Sequence, residues 1–218
     1  MTQILLIRHA VNEYVKTGKL AGRIEGVHLN DDGQEQAEAL GKRLADVPLR
    51  YIYVSRMERT METARAIHQH HANIPLEQHD GILEVDYGDW QDMKISELTK
   101  RKMWSVIQEY PTRAYFPNGE TMRSVQNRVV DTIEALVEKH GNEMIALVFH
   151  ADLIKMAVAH YLGVHLDNFQ RIVISPASIS TLILGHSRPY VANVNDTAHL
   201  QEVERRKRKQ EEMKNAKH

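Results

Sequence analysis

The sequence predicts an α/β sandwich built on a mostly parallel sheet. Apolar runs of strand length, at 5–10 and 144–149 among others, alternate with segments whose apolar residues recur at helical spacing. That alternation is typical of parallel sheets whose strands are joined by crossover helices. With 218 residues the chain has room for one compact domain with a sizeable core. We expect that domain over residues 1–197, followed by a charged tail over 198–218.

The first part of the chain is predicted to run strand, loop, helix, strand, helix. Residues 11–30 contain glycines and no sustained period, which indicates a long loop after the first strand. Capping side chains and helical spacing then predict a helix that includes 37–44. Residues 51–54 predict a second strand, and 57–71 a helix whose opening turn carries Arg59. Because the helix dipole disfavours a cation there, an anionic partner for Arg59 is indicated.

The second part continues the alternation. Its predicted elements are a short strand from 74, short helices over 94–109, a loop over 111–119, a helix over 120–140, a strand over 144–149, a helix over 153–162, and strands over 172–174, 180–184 and 189–194. The tail carries a basic run at 205–209 interleaved with glutamates, which predicts a solvated, partly frayed helix.

Composition restricts the classes of function. A formal net charge of −1 argues against broad attraction to nucleic acid or to an anionic membrane. The absence of cysteine excludes disulfides, a thiolate nucleophile and a cysteine zinc site. The sequence starts without the features of a signal peptide, and no apolar run approaches the length of a membrane span. We therefore expect a cytoplasmic protein with neither a nucleic acid nor a membrane as partner.

Polar side chains gather where three predicted strands end. His9 and His150 each follow an apolar strand, Arg8 precedes His9, and Arg59 lies just beyond the strand at 51–54. Any one of them alone is more commonly a structural residue. In a parallel sheet the three strand ends lie at one edge, and clustered cations there require an anion. The set therefore indicates a bound phosphoryl group.

The chemistry of phosphoryl transfer matches these residue types. Two guanidinium groups can hold phosphoryl oxygens bidentately, one histidine can attack phosphorus, and the other can donate a hydrogen bond as charge develops. A proton donor for the leaving alcohol is also needed, and a partly buried carboxyl serves that role. Glu84 is the natural candidate, with Asp86 and Asp89 as alternatives close by.

These residues stand in motifs that resemble those of the histidine phosphatase superfamily, also called the phosphoglycerate mutase-like family. The matching segments are 5–10, 22–37, 54–64, 83–90, 117–128 and 148–151, within a resemblance that runs from about 3 to about 196. The resemblance implies a three-layer α/β/α sandwich and chemistry without a metal or a cofactor. It also implies that His9 is the nucleophile and becomes phosphohistidine, and that Glu84 is the general acid and base.

The resemblance extends to the residues that hold the phosphate and the substrate. It implies that Arg8, Arg59 and His150 line the phosphate pocket. The residues predicted to contact the substrate are Arg8, Arg59, Asn12, Gly22, Arg23 and Ala151. Asn12 stands where Thr or Ser is common, and its amide can still donate to a phosphate oxygen.

The sequence departs from the family pattern next to both histidines. Ala10 and Ala151 stand where the family usually has glycine, which permits backbone angles that alanine resists. A positive φ at either position would strain or displace the pocket, although we expect activity to survive. Arg56 replaces a frequent proline and adds positive charge near the mouth of the pocket.

The leading hypothesis is a metal-independent phosphomonoesterase that acts on a small phosphorylated metabolite through phospho-His9. A cofactor-dependent mutase of the phosphoglycerate type is the first alternative. It ranks lower because the segment 90–117 looks shorter than in mutases and 88–91 resembles the phosphatase branch. The second alternative is a non-catalytic module that binds a phosphorylated ligand, which the two alanines motivate.

Substrate identity beyond the phosphate group is left open by the sequence. The candidates for recognition are Arg23, Trp90, Trp104, Tyr115 and Glu120, and ordinary packing explains the aromatic ones equally well. The oligomeric state is also left open, a homodimer included.

Overall fold

A computed structural model describes residues 1–215 and contains one six-stranded sheet with helices on both faces. The strands are β1 (Thr2–Arg8), β2 (Leu49–Val54), β3 (Leu76–Gln78), β4 (Met144–Phe149), β5 (Ile179–Leu184) and β6 (Tyr190–Asp196). The helices are α1 (Glu13–Thr17), α2 (Asp31–Leu44), α3 (Glu58–His68), α4 (Ile95–Leu98), α5 (Lys102–Glu109), α6 (Met122–Lys139), α7 (Ala151–Tyr161) and α8 (Gln201–Asn215). The predicted α/β class is confirmed.

The sheet is mostly parallel, as the sequence predicts. Its strand order is β3-β2-β4-β1-β5-β6, in which the first four strands run parallel, β5 runs antiparallel to β1, and β6 antiparallel to β5. Arg8 pairs with Phe149, and Val54 pairs with Val148. The carboxyl ends of β1, β4 and β2 therefore lie side by side at one edge of the sheet.

The alternation of side chains along the central strand divides the core into two layers. Ile4 and Leu6 of β1 belong to the cluster that includes α6 and α7, whereas Leu5 and Ile7 belong to the cluster that includes α2 and α3. All four side chains are buried. A strand covered by helices on both faces is apolar throughout, which is why β1 reads as a continuous apolar run.

The helix α1 falls within 11–30, a stretch that was predicted to be loop. Asn12 accepts a hydrogen bond from the backbone N–H of Val15 at 2.9 Å, and Gly18 closes the helix at φ +64°. A capping side chain at one end and a left-handed glycine at the other stabilise this single turn. It is too short for periodicity to reveal.

The strand predicted over 172–174 does not form. Its backbone groups do not bind a neighbouring strand: the N–H of Ile172 donates to the carbonyl of Phe169 at 3.1 Å, and the carbonyl of Ile174 accepts from Arg8 at 2.7 Å. The N–H of Ser175 then donates to Asn195 at 2.6 Å. The hydrogen bond from Arg8 to the carbonyl of Ile174 keeps the stretch 172–174 beside the predicted site.

The charged tail is helical as far as the structure describes it. Arg206 of α8 forms an ion pair with Glu35 of α2 at 2.9 Å, and Lys207 binds Asp32. The predicted tail also includes 216–218, which lie outside the described residues. Among the helices of residues 1–215, none is long and apolar enough to cross a membrane. The boundary near residue 197 stays a prediction.

Gly33 allows α2 to approach the loop that follows β1. A Cβ at Gly33 would lie 2.0 Å from the carbonyl oxygen of Val11, far inside van der Waals contact. We expect Gly33→Ala to lower the free energy of unfolding by about 1–3 kcal/mol, because backbone must move to admit the methyl group. Urea denaturation measures the change.

Gly141→Ala is the matched control, because a Cβ there meets no heavy atom of the described residues within 4 Å and its φ lies outside the left-handed region. We expect its midpoint to stay near that of the unmodified protein. Equal midpoints for the two variants would show that the close approach of α2 does not limit stability.

Candidate active site

The pairing of β1 with β4 places His9 beside His150. The backbone N–H of His9 donates to the carbonyl of Phe149 at 3.0 Å, and the two imidazole rings lie 5.4 Å apart at an interplanar angle of 64°. Both side chains are buried. Two histidines that are 141 residues apart in the chain thus face one another across adjacent strand ends.

The His9 imidazole has one nitrogen committed and one available. Its Nδ1 lies 2.7 Å from the carbonyl oxygen of Ala10. A carbonyl only accepts, so Nδ1 carries the hydrogen and Nε2 of the neutral ring carries the lone pair. Burial, with the positive charges of Arg59 and Arg8, holds the pKa of His9 well below its usual value. The ring is therefore neutral at neutral pH, which is the nucleophilic form.

His150 lies at the N-cap of α7 and contacts three polar groups. Its Nε2 is 2.9 Å from the hydroxyl of Ser55, and its Nδ1 is 3.3 Å from Glu84 and 3.4 Å from Arg59. Burial, followed by Arg59 and His9, holds the pKa of His150 well below its usual value. The ring is neutral at pH 7, so its 3.3 Å contact with Glu84 is not an ion pair.

Two guanidinium groups complete the base of the site. Arg59 is 1% exposed and donates to the carbonyl of Gly22 at 2.8 Å, and Arg8 donates to Ile174 at 2.7 Å. Within the described residues, Nη1 of Arg59 and Nε of Arg8 are buried without a hydrogen-bond partner. Unpartnered charged donors are costly to bury, and a bound anion would satisfy them.

Glu84 has the properties of a proton donor near neutral pH. Its Oε1 accepts from the N–H of Val85 at 2.9 Å, and its Oε2 lies 3.8 Å from Arg59. Burial, reinforced by Asp152 and opposed by Arg59, raises the pKa of Glu84 to about 7. A carboxyl with such a pKa exchanges its proton readily at neutral pH.

The two alternative carboxylates lie elsewhere. Asp86 accepts a hydrogen bond from the backbone of Gly88 at 3.0 Å, and Asp89 binds the amide of Asn118 at 3.1 Å. Neither lines the cavity that contains Glu84. The geometry therefore favours Glu84 over both neighbours.

A cavity of about 410 Å³ opens above these groups. Its base is lined by Arg8, His9, Asn12, Arg59, Glu84 and Ala151, and its sides by residues of α1, α4, α5 and α7. The amide nitrogen of Asn12 is buried in this lining without a hydrogen-bond partner among the described residues. Within residues 1–215 no group of three His, Cys, Asp or Glu side chains is arranged to hold a metal ion.

Comparison with known proteins agrees with this geometry. A sequence model of the histidine phosphatase superfamily, branch 1, matches residues 4–197. The chain belongs to the histidine phosphatase superfamily. The resemblance seen in the motifs is confirmed. The prediction that the protein is a phosphatase of this superfamily is confirmed with it.

A curated relative is similar along almost the whole chain. Phosphoserine phosphatase 1 of Hydrogenobacter thermophilus is 30% identical over 207 residues, which are 93% of this chain and 96% of that protein. The similarity therefore spans nearly the full length of both proteins.

Two solved structures share the fold. YhfR of Bacillus stearothermophilus is similar with a TM-score of 0.86 at 24% identity, over 92% of this chain and all of that one. Phosphoserine phosphatase of Entamoeba histolytica, solved with 3-phosphoglyceric acid, is similar with a TM-score of 0.84 at 23% identity, over 92% of this chain and all of that one.

The two alanines that depart from the superfamily pattern do not strain the backbone. Neither Ala10 nor Ala151 has a positive φ. The N–H of Ala10 donates to the hydroxyl of Thr63 at 3.0 Å, and Ala151 is the first residue of α7. Both positions therefore accept a Cβ without the distortion that the sequence raised as a concern.

Arg23 does not line the cavity, in contrast to its predicted contact with substrate. Its guanidinium donates to the carbonyl of Glu84 at 2.8 Å and to the carboxylate of Glu120 at 2.9 Å. Arg128 binds the same carboxylate at 3.0 Å. Arg23 and Glu120 thus support the backbone beside Glu84. Of the aromatic candidates, Trp90 and Trp104 line the cavity, whereas Tyr115 does not.

Three residues of the site were missed by the sequence analysis. Ser55, at the end of β2, contacts His150, while Asp152 and Lys155 of α7 line the cavity. Asp152 and Lys155 follow His150 by two and five positions on one helix. Once His150 is placed at the start of α7, this spacing predicts that both lie near it.

We expect Arg59→Met to weaken the binding of inorganic phosphate at least about tenfold, because a buried cationic donor to the anion is lost. Isothermal titration calorimetry measures the dissociation constant. Arg56→Met is the control: Arg56 is exposed, pairs with Asp80 at 3.6 Å and does not line the cavity. Equal losses in both variants would show that charge near the mouth, and not a direct contact, holds the anion.

Proposed function

We propose that the chain is a metal-independent phosphomonoesterase that hydrolyses a small phosphorylated metabolite through a phosphohistidine on His9. The observation that carries this proposal is the neutral, buried imidazole of His9 with Nε2 available beside two guanidinium groups with unpartnered donors. A relative named as a phosphoserine phosphatase supports the class of reaction.

In the first step, Nε2 of His9 attacks phosphorus and the bond between phosphorus and the leaving oxygen breaks. Arg8 and Arg59 hold the phosphoryl oxygens, and the amide of Asn12 and the N-terminus of α7 add neutral donors. In the tautomer with its hydrogen on Nδ1, His150 donates a hydrogen bond to the same oxygens. Glu84 gives its proton to the leaving oxygen, so that an alcohol departs and a carboxylate remains.

In the second step, water takes the place of the alcohol. The Glu84 carboxylate accepts a proton from that water as its oxygen attacks phosphorus. The bond between phosphorus and Nε2 breaks, its electron pair returns to His9, and inorganic phosphate leaves. Glu84 is then protonated again, which restores the initial state of the site.

The geometry bears differently on the two alternatives. The non-catalytic module was motivated by Ala10 and Ala151, and neither has the positive φ that would displace the pocket. No contact of the described residues favours the mutase over hydrolysis. The cytoplasmic location and the homodimer stay predictions.

The test of this proposal is hydrolysis of 4-nitrophenyl phosphate with a chelator present. We expect turnover by the unmodified protein, and a loss of roughly 10³-fold or more in His9→Asn, which removes the nucleophile. His160→Asn, at the exposed end of α7, is the control with unchanged turnover. Acid-labile, alkali-stable phosphate on the protein would identify phosphohistidine.

Persistent turnover by His9→Asn would refute His9 as the nucleophile. Inactivity of the unmodified protein on a panel of phosphomonoesters, despite tight phosphate binding, would favour the binding module. An isomerised product that requires a bisphosphate primer, with little free phosphate, would establish a mutase.

The raised pKa of Glu84 makes the first step dependent on pH. Since the step uses the protonated carboxyl, the rate of phosphoenzyme formation should fall about tenfold for each pH unit above a pKa of about 7. Rapid quench at several pH values measures it. Glu84→Gln should remove this dependence and slow an alkyl phosphate roughly 10²–10⁴-fold, and 4-nitrophenyl phosphate less, since its leaving group needs less protonation.

An unchanged pH dependence in Glu84→Gln would exclude Glu84 as the acid. Asp89→Asn, a nearby carboxylate outside the cavity lining, is the matched control and should keep the dependence.

A further inference from the structure

The upper part of the cavity has a character different from its base. We define the leaving-group lobe as the side chains of Val15, Leu20, Ile95, Trp104 and Ile107, which line the cavity from α1, the segment after it, α4 and α5. All five are apolar, and the same helices also contribute Tyr14 and Gln108 to the lining. Since the phosphoryl group would occupy the base near His9, the lobe is where the rest of a substrate would lie.

Two members of the lobe are aliphatic side chains exposed to solvent. Val15 is 36% exposed and Ile95 37%, and both face the cavity. Exposed aliphatic surface inside a cleft favours a ligand that removes it from water. A leaving group with an apolar face would gain that burial.

An aromatic wall continues the apolar surface. The rings of Trp90 and Trp104 both line the cavity and stack 6.3 Å apart at an angle of 20°, with Trp90 fully buried and Trp104 partly exposed. Trp104 thus presents a rigid ring supported from behind. A flat or aliphatic group can pack against such a ring at little cost in side-chain entropy.

The cationic side chains near the lobe are already paired. Lys155 binds Asp152 at 3.1 Å and Gln170 at 2.9 Å, and Asp152 also accepts from Tyr87 at 3.2 Å. Lys155 and Asp152 are only 17% and 22% exposed, so this pair is largely shielded from solvent. At the mouth, Lys19 binds Asp92 at 2.8 Å.

The charges of the cavity balance with a phosphate dianion alone. Arg8 and Arg59 supply two positive charges, Lys155 is balanced by Asp152, and Glu84 is uncharged below about pH 7. Among the described lining residues, no unpaired cation is left over for a second anionic group. A carboxylate in the lobe would lose hydration without gaining a cationic partner.

We propose that this site, given the function proposed above, takes phosphomonoesters of neutral alcohols that carry an apolar or aromatic face, and rejects alcohols that carry a carboxylate. The lobe packs against the apolar face, and the closed pair of Lys155 and Asp152 offers a carboxylate no free cation. The preferred substrate therefore differs in charge from phosphoserine, the compound in the name of the curated relative.

The test compares two substrates that differ in charge but hardly in size. We expect kcat/KM for 4-carbamoylphenyl phosphate to exceed that for 4-carboxyphenyl phosphate at least about tenfold, and phosphoserine to be poorer still. Equal or reversed values would overturn the proposal. Hydrolysis of neither aryl substrate would instead contradict the phosphatase function, so the two failures are distinguishable.

The variant Asp152→Asn tests the charge argument separately. Removal of this carboxylate leaves the Lys155 ammonium unbalanced beside the lobe, and the preference for the neutral substrate should shrink at least about threefold. An unchanged ratio of the two kcat/KM values would show that Lys155 does not face the leaving group.

The variant Ile95→Ser tests the apolar contact. We expect KM for 1-naphthyl phosphate to rise about three- to tenfold with kcat within twofold, because uniform binding is lost, and glycerol 2-phosphate to change less. Leu162→Ser is the matched control, an exposed aliphatic side chain at the end of α7 and outside the cavity. If Ile95→Ser changed KM equally for 1-naphthyl phosphate and glycerol 2-phosphate, the lobe would not hold an apolar face.

Discussion

The site depends above all on the register in which β1 pairs with β4. Arg8 lies opposite Phe149, and the N–H of His9 binds the Phe149 carbonyl, so the residues after each strand end meet. A slip by one residue would turn His9 to the opposite face of the sheet. Gln3, at the other end of the strand, pairs with Met144 in the same register. The full length of the strand therefore fixes the position of His9, the proposed nucleophile.

The gathering of positive charge at this edge has electrostatic consequences that reinforce one another. Burial, together with the charges of Arg59 and Arg8, lowers the pKa of both histidines and keeps them neutral, and burial also raises the pKa of Glu84. The same burial that disfavours ionised Glu84 strengthens each hydrogen bond to a bound anion. A neutral nucleophile, a protonated acid and two permanent cations are the states that attack on a phosphate dianion requires.

Much of this arrangement was predictable from the sequence because it follows from short-range patterns. Apolar runs located β1 and β4, and the parallel topology implied that His9, His150 and Arg59 share an edge. Ser55 and Arg23 were harder, because their partners, His150 and Glu84, lie far away in the chain and leave no periodic trace. The five-residue helix α1 was missed because periodicity needs several turns, whereas a cap and a glycine suffice to stabilise one.

The segment that supports Glu84 is distinct from the segments that form the leaving-group lobe. Arg128 of α6 donates to the carbonyls of Gly81 and Leu83, each at 3.0 Å, and so holds the backbone before Glu84 against α6. The leaving-group lobe is built mainly from other segments, α1, α4 and α5. Under the proposed function, substitutions in those short helices would alter which alcohol fits while the proposed catalytic groups keep their positions. On that proposal, the substrate range could diversify independently of the reaction.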